Sequence, residues 1–273
     1  MLLTRVITAV CLLLLILPIL FLAPPSALAG LVAVIVVLAG WEFGRLIGLR
    51  GVWPYVYAVA CLVALVGWHD AADRQALTRL LQVGVACWGV AVVLLARGVR
   101  QASPSFTLLG AILGLFMLPA FGHATLILRE LGIGVLLSVA VLVWAADIGA
   151  YFVGKAIGRR KLAPTISPGK SWEGAIGGWL VVLLIALGLA ATQAFSPTWF
   201  SGMADHNGLA VVALLSTLLV VASVVGDLFE SLLKRQVGMK DSSRLLPGHG
   251  GVLDRIDALL PVFPLAALLA IYL

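Results

Sequence analysis

Between Ser231 and Asp257 the chain reads SLLKRQVGMKDSSRLLPGHGGVLDRID, an order of charges that suits a phosphate-bearing ligand. Lys234, Arg235, Lys240 and Arg244 come first, then Gly248-His249-Gly250-Gly251, then Asp254 and Asp257 flanking Arg255. In a chain that is 62% hydrophobic and 11% charged, such a cluster is costly unless it serves a charged ligand. Cations hold phosphates, glycines let backbone N–H groups approach an anion, and paired carboxylates take a hard divalent cation. Together these residues describe a site for a nucleotide and a metal.

Just upstream, GDLFESLLKR places Asp227, Glu230, Ser231 and Lys234 at i, i+3, i+4 and i+7, on one helix face. Charges snorkelling into headgroups at a helix end explain Lys234 or Arg235 taken singly. They do not explain Asp227, which lies a turn deeper. Asp254 and Asp257 are i and i+3, so the spacing predicts both carboxylates on one face at the start of a helix, where the macrodipole favours them. Capping accounts for one of the two aspartates but poorly for both. With Asp227 they form a metal-ligand set that suits Mg²⁺, completed by water and substrate phosphates. Spacing leaves the ligands open among Asp147, Asp227, Asp241, Asp254 and Asp257, with room for a second, monovalent cation. His249 alone is a turn residue; among these motifs it is a candidate to donate to a phosphate or orient a carboxylate.

A further segment, SPGKSWEG from Ser167 to Gly174, offers Lys170 and Ser171 as phosphate-holding residues. It is not a Walker A loop, because Pro164 stands where that motif needs glycine. Glu173 reads as a first-turn acid. Asp147 is the remaining acid within an apolar run and reads as lining the site, whereas Glu42 with Arg45 reads as a local pair at a span end. His69, His123 and His206 have no ligand spacing.

The elements that must position these residues are membrane helices. A mean hydropathy of +1.15 excludes an ordinary soluble protein. Apolar runs predict an all-α polytopic membrane protein of about nine spans, near 6–22, 26–41, 53–68, 80–96, 106–121, 131–152, 173–195, 208–229 and 252–272. No separate soluble domain is expected. Residues 1–140 carry about five spans and little chemistry, and 141–273 form the catalytic region with two basic loops at 153–172 and 230–253. Arg5 and the run to Ala27-Leu28-Ala29 imitate a cleavable signal, but the later spans already require insertion, so the first is read as a retained span.

The net charge of +6 follows the same pattern. All 18 cations except Arg74, Arg79 and Arg129 fall at the N-terminus or in even-numbered loops, which predicts a cytosolic N-terminus and a site facing the cytosol. Nucleic acid is excluded as a partner, since no domain carries an exposed basic face. Cys11, Cys61 and Cys87 all sit in apolar runs and read as small buried hydrophobes.

The run S-x-L-K-R, four residues, K-D, then P-x-H-G-G and D-R-I-D resembles the signature of the phosphatidate cytidylyltransferases, the CDP-diacylglycerol synthases. GDLFES and SPGKSWEG look like segments of the same family, so the resemblance is dense from about Asp147 to Leu260. It implies that phosphatidic acid attacks the α-phosphorus of CTP in a Mg²⁺-dependent reaction at the inner membrane of a bacterium. Carried onto this chain, Asp227, Asp254 and Asp257 would hold Mg²⁺. Lys170, Lys234, Arg235, Lys240 and Arg255 would hold phosphates, with Ser171, Ser231, Asp241, His249, Gly250 and Gly251 beside them. A homodimer is compatible with this reading and not required by it.

Other classes fit less well. The CDP-alcohol phosphotransferases open with D-G-x-x-A-R, whereas Asp227 is followed by Leu-Phe. A polyprenol or other lipid kinase is closer in chemistry and differs in the phosphorus attacked. An ion-coupled transporter usually scatters charges through mid-membrane helices and repeats its halves; here the acids gather at one leaflet and no repeat is evident.

Overall fold

The computed structural model describes residues 2–70, 74–99 and 103–273, with side chains from residue 6 onward except His69 and Asp70. Arg100 lies outside the described residues, as do the side chains of Arg5 and His69.

Helices α1 (Leu2–Phe21), α2 (Pro25–Leu46), α3 (Trp53–Asp70), α4 (Arg74–Arg97), α5 (Pro104–Leu131) and α6 (Ile133–Ile157) are followed by a two-stranded hairpin, β1 (Lys161–Ala163) and β2 (Ser167–Ser171). Then come α7 (Trp172–Thr192), α8 (Trp199–Asn207), α9 (Leu209–Gln236), α10 (Leu253–Ile256) and α11 (Leu259–Tyr272). Among the described residues, α2, α4, α5, α6, α7 and α9 are long and apolar enough to cross a membrane. Three further apolar helices, Val6–Phe21, Trp53–Trp68 and Leu259–Tyr272, are shorter. The protein is therefore an all-α polytopic membrane protein, with one small antiparallel hairpin where the sequence suggested only a loop.

Helix α11 packs on α4, α5 and α9. Val262, Ala266 and Ala267 are fully buried, and Phe263 stacks on Phe121 at 5.6 Å. The outer faces stay apolar, with Leu14, Val63 and Leu184 exposed, as lipid contact requires. Lipid gives helices no hydrophobic drive to associate, so close backbone approach must hold them together. The α6–α7 pair shows it: a Cβ on Gly178 would lie 2.3 Å from the carbonyl oxygen of Ala146.

The cation-rich loops converge at one end of the bundle. Arg45 at the end of α2 reaches the carbonyl of Ser242, Arg235 at the end of α9 reaches that of Ile166, and Thr8 on α1 donates to that of Pro247. The division expected at residue 140 falls inside α6, and α11 packs on helices from both sides of it.

Candidate active site

Helix α9 runs two turns past the expected span end, so Asp227, Glu230, Ser231 and Lys234 do share one helical face. Asp227 forms an ion pair with Lys170, which β2 delivers from the hairpin. The pair closes the polar end of a cavity of about 450 Å³ between α6, α7 and α9. Its walls are largely apolar, with Ala150, Trp179, Val220 and Val224, and Asp147 lines it too. Ser171 also lines the cavity, but its hydroxyl caps α7 by accepting the Gly174 N–H at 3.2 Å. Glu173 accepts the backbone N–H groups of Arg159 and Arg160, which fixes the turn between α6 and β1.

The rest of the α9 face is turned inward. Ser231 donates to Asp227 at 3.4 Å. Lys234, expected at a phosphate, sits between Glu230 at 2.5 Å and Asp254 at 2.6 Å. Glu230 is 3% exposed, and its second carboxylate oxygen has no partner. Arg235 bonds the carbonyls of Ile166 and Met239, tying the hairpin to the end of α9.

Asp254 and Asp257 lie three residues apart on one helical turn, which runs from Val252 through Ala258 with the Asp257 N–H donating to the Leu253 carbonyl. The helix breaks between them and α11, and Pro261 gives the reason. It has no N–H for the carbonyl of Asp257 four residues back, and its ring crowds that oxygen. The freed carbonyl packs against Gly226 of α9, where a Cβ would lie 2.3 Å from it. From that shared turn Asp254 bonds the loop, while Asp257 lies close enough to Asp227 to feel its charge.

The consequences for the two carboxylates are opposite. Asp254 accepts from Lys234 through one oxygen, and from Ser242 N–H, Ser242 Oγ and Gly251 N–H through the other. Four donors fill the lone-pair sites a carboxylate offers. Burial alone would raise this carboxyl, but those bonds outweigh it and hold the pKa at about 2. Among the described residues, Asp257 accepts only the Ala258 N–H, at 2.8 Å. Burial, and then the negative charge of Asp227, push its carboxyl up to about 7.

The loop between α9 and α10 opens onto a cavity of about 750 Å³ lined by Lys240, Asp241, Arg244, His249, Gly250 and Arg255 among others. The imidazole Nδ1 of His249 is buried without a partner there. Gly250 and Gly251 also pack closely against protein. Gly250 has φ +81°, and a Cβ on it would lie 2.7 Å from Asp254; the Gly251 N–H is already taken by Asp254. A Cβ on Gly251 would lie 2.1 Å from both Glu42 and Ser242 Oγ.

Glu42 is the residue sequence reasoning missed. It does not pair with Arg45, whose guanidinium lies over Trp41 at 4.8 Å and reaches Ser242. Glu42 is fully buried and accepts from Ser243 Oγ, Val252 N–H and Leu253 N–H. Its partners lie some two hundred residues downstream, and the only local signal was an acid at the end of an apolar run.

Among the described residues, no three His, Cys, Asp or Glu side chains form a group that could hold a metal by themselves. The expected aspartate trio is split: Asp254 belongs to the loop, while Asp227 and Asp257 remain close enough to repel each other.

Residues 3–273 match the model of the cytidylyltransferase family. A phosphatidate cytidylyltransferase of Pseudomonas aeruginosa is 42% identical over 271 residues, covering 97% of this chain and 95% of that protein. One from Haemophilus influenzae is 38% identical over 281 residues, covering 95% of each. A Bacillus subtilis protein of the same name is 44% identical over 147 residues, covering 53% of this chain and 51% of that protein.

Proposed function

From a chain that belongs to the cytidylyltransferase family, we propose a CTP:phosphatidate cytidylyltransferase that makes CDP-diacylglycerol and pyrophosphate in a bacterial cytoplasmic membrane. The observation that carries this reading is the apolar cavity ending at Lys170 and Asp227, at the same end of the bundle as the basic loop pocket. An apolar trough lined by two cations, Lys155 and Lys170, suits a lipid whose phosphate must stay at the membrane boundary. An open pocket with Lys240, Arg244, Arg255 and His249 suits a soluble polyphosphate.

In the reaction, an oxygen of the phosphatidate phosphate forms a bond to the α-phosphorus of CTP. The bond from that phosphorus to the β-phosphate oxygen breaks, and pyrophosphate leaves with the electron pair. Both reactants are polyanions, so the site must neutralise charge and align the attack. Lys170 exchanges Asp227 for the lipid phosphate. Lys240, Arg244 and Arg255 hold the triphosphate, with His249 lining the same pocket. Lys234 and Asp254 keep the loop in place behind them. No covalent intermediate is required, since phosphatidate is itself a nucleophile.

The residues fit Mg²⁺. Asp257 has lone pairs to spare, Asp227 is its like-charged neighbour, and two carboxylates plus water and phosphate oxygens make the usual Mg²⁺ shell. Asp227 and Asp257 are the residues that would hold it, and Asp254 serves the loop. When bound, the ion supplies charge neutralisation for the phosphates. The convergence of the cation-rich loops supports a cytosolic site, where CTP is available.

The test is turnover of purified protein in mixed micelles with phosphatidic acid, CTP and MgCl₂, followed as CDP-diacylglycerol and pyrophosphate. Both products should form together, stop with EDTA, and fall away when ATP or a neutral diacylglycerol replaces the substrates. Nucleotide-dependent phosphorylation of a lipid alcohol without CDP-diacylglycerol would instead establish a lipid kinase.

A further inference from the structure

Glu42 is a fully buried acid that the proposed chemistry leaves unused, and among the described residues its hydrogen bonds go to a single segment. Ser243 Oγ reaches it at 2.5 Å, Val252 N–H at 3.0 Å and Leu253 N–H at 2.6 Å. Its helix is otherwise held by apolar packing, with Val32, Val36, Ala39 and Phe43 buried. A carboxylate with no exposure on such a helix is costly unless its lone pairs are filled. Here the loop fills them, and the two amides involved are ones that the start of α10 leaves without helical partners.

The neighbouring bonds extend this grip. Arg45, one turn on, reaches the carbonyl of Ser242 at 3.4 Å. Ser242 in turn donates twice to Asp254, so the Ser242–Ser243 pair lies between two carboxylates, Asp254 and Glu42. Gly251 sits where any side chain would strike Glu42 and Ser242 together. Between these anchors the chain carries His249, and directly after them come Asp254, Arg255 and Asp257. A residue of α2 thus fixes both ends of the segment from 242 to 253.

We propose that Glu42 is the positioning residue of the cytidylyl-transfer site. It holds the loop and the first turn of α10 so that Asp257 faces Asp227 and His249 faces the nucleotide pocket. It does so without touching either substrate, since its oxygens are occupied by Ser243, Val252 and Leu253. The inference rests on the cytidylyltransferase reading, and it extends the functional unit into a helix where the residue pattern suggested no chemistry. Loss of Glu42 should loosen the loop while leaving the lipid cavity unchanged, because that cavity is lined only from α6, the hairpin, α7 and α9.

The experiment compares wild type with Glu42→Gln, Glu42→Asp and Ser243→Ala in detergent, reading kcat, the KM for each substrate and the thermal midpoint. Glutamine sets an amide NH₂ against donors, whereas aspartate keeps a carboxylate and shortens its reach. The expected result for Glu42→Gln is a kcat lower by about 10- to 100-fold, the size of effect that displaced supporting contacts produce. The KM for phosphatidic acid should stay within about twofold, and Glu42→Asp should retain more kcat than Glu42→Gln. A wild-type kcat in Glu42→Gln overturns the inference. So does an equal loss in both variants accompanied by a raised phosphatidate KM and a lowered thermal midpoint, which marks a merely structural residue. Should Glu42→Gln not fold, Ser243→Ala decides: a kcat lower by about 3- to 10-fold with unchanged phosphatidate KM supports the inference, and full activity overturns it. A wild type that makes no CDP-diacylglycerol would sink the assigned reaction rather than the role of Glu42.

Discussion

Lys170 and Asp227 face each other across the mouth of an apolar cavity, one on a hairpin strand and the other on a long membrane helix. Each is about one-quarter exposed, so the pair is open to exchange with a ligand of the same charge pattern. A phosphate bound in the cavity would compete with Asp227 for Lys170.

Lys170→Ala should therefore lower kcat/KM for phosphatidic acid by about 10- to 100-fold, as loss of a charge-assisted hydrogen bond predicts. Lys170→Arg should recover part of that loss. The KM for CTP should move little. Initial rates with each substrate varied in turn separate the two, and an unchanged phosphatidate KM in Lys170→Ala removes it from the lipid site.

Asp257 is an acid whose charge its surroundings oppose. Its folded pKa, pushed up to about 7, lies above the unfolded value of about 3.9. The folded state therefore holds this proton more tightly. The stability so gained is full below about pH 4 and is lost as pH rises through 7. In EDTA at pH 8, Asp257→Asn should be more stable than wild type by roughly 5 °C, and the gap should close toward pH 5. Mg²⁺ should raise the midpoint of wild type and not that of the variant. The same substitution should abolish turnover. A variant that keeps both turnover and its Mg²⁺ response excludes Asp257 as a metal ligand.

Asp254, three residues earlier, should behave in the opposite sense. Its folded pKa of about 2 lies below the unfolded value, so its contribution is full above about pH 4 and is lost as pH falls toward 2. Asp254→Asn should cost about 2 kcal/mol near neutral pH, the equivalent of that shift, with the difference narrowing in acid. Denaturation midpoints from pH 7 down to 3 check it. A gap that does not narrow would assign the loss to the hydrogen bonds alone.

The contrast between these two aspartates shows what the sequence could and could not convey. The face of α9 was legible because Asp227, Glu230, Ser231 and Lys234 follow the helical period, and the helix continues through them. The different fates of Asp254 and Asp257 were not, because Ser242 and Gly251 of the loop occupy Asp254 while Asp257 is buried beside Asp227. Lys234 looked like a phosphate ligand since sequence shows its charge but not the two acids that surround it. The hairpin was hidden by strands of three and five residues, one containing Pro168 and Gly169. Glu42 was hidden by distance along the chain.

Gly251 offers a test of the loop that is independent of any charge. A Cβ there would meet Glu42 and Ser242 Oγ, each at 2.1 Å, so Gly251→Ala must push the loop off α2. Activity should fall by about 100-fold or more, the cost of an ångström-scale misplacement. Gly30→Ala, in an open stretch of α2, should leave activity unchanged and stabilise slightly through helix propensity. Equal activity of the two variants would show that the Glu42–Gly251 contact is slack.

The cavity itself can be narrowed without touching a charge. Val224 lines it from α9 one turn above Asp227, opposite the small side chains of Ala146 and Ala150 on α6. Val224→Phe adds a ring to that apolar wall, and overfilling a packed apolar space typically costs about 1–3 kcal/mol, or roughly 5- to 150-fold in binding. The loss should appear in the KM for long-chain phosphatidic acid. A short-chain analogue that places only its phosphate at Lys170 should be spared, and so should CTP. Kinetics on the two lipids settle whether this cavity takes the acyl chains: equal losses on both place the ring's effect at the phosphate, and no loss on either places the acyl chains elsewhere.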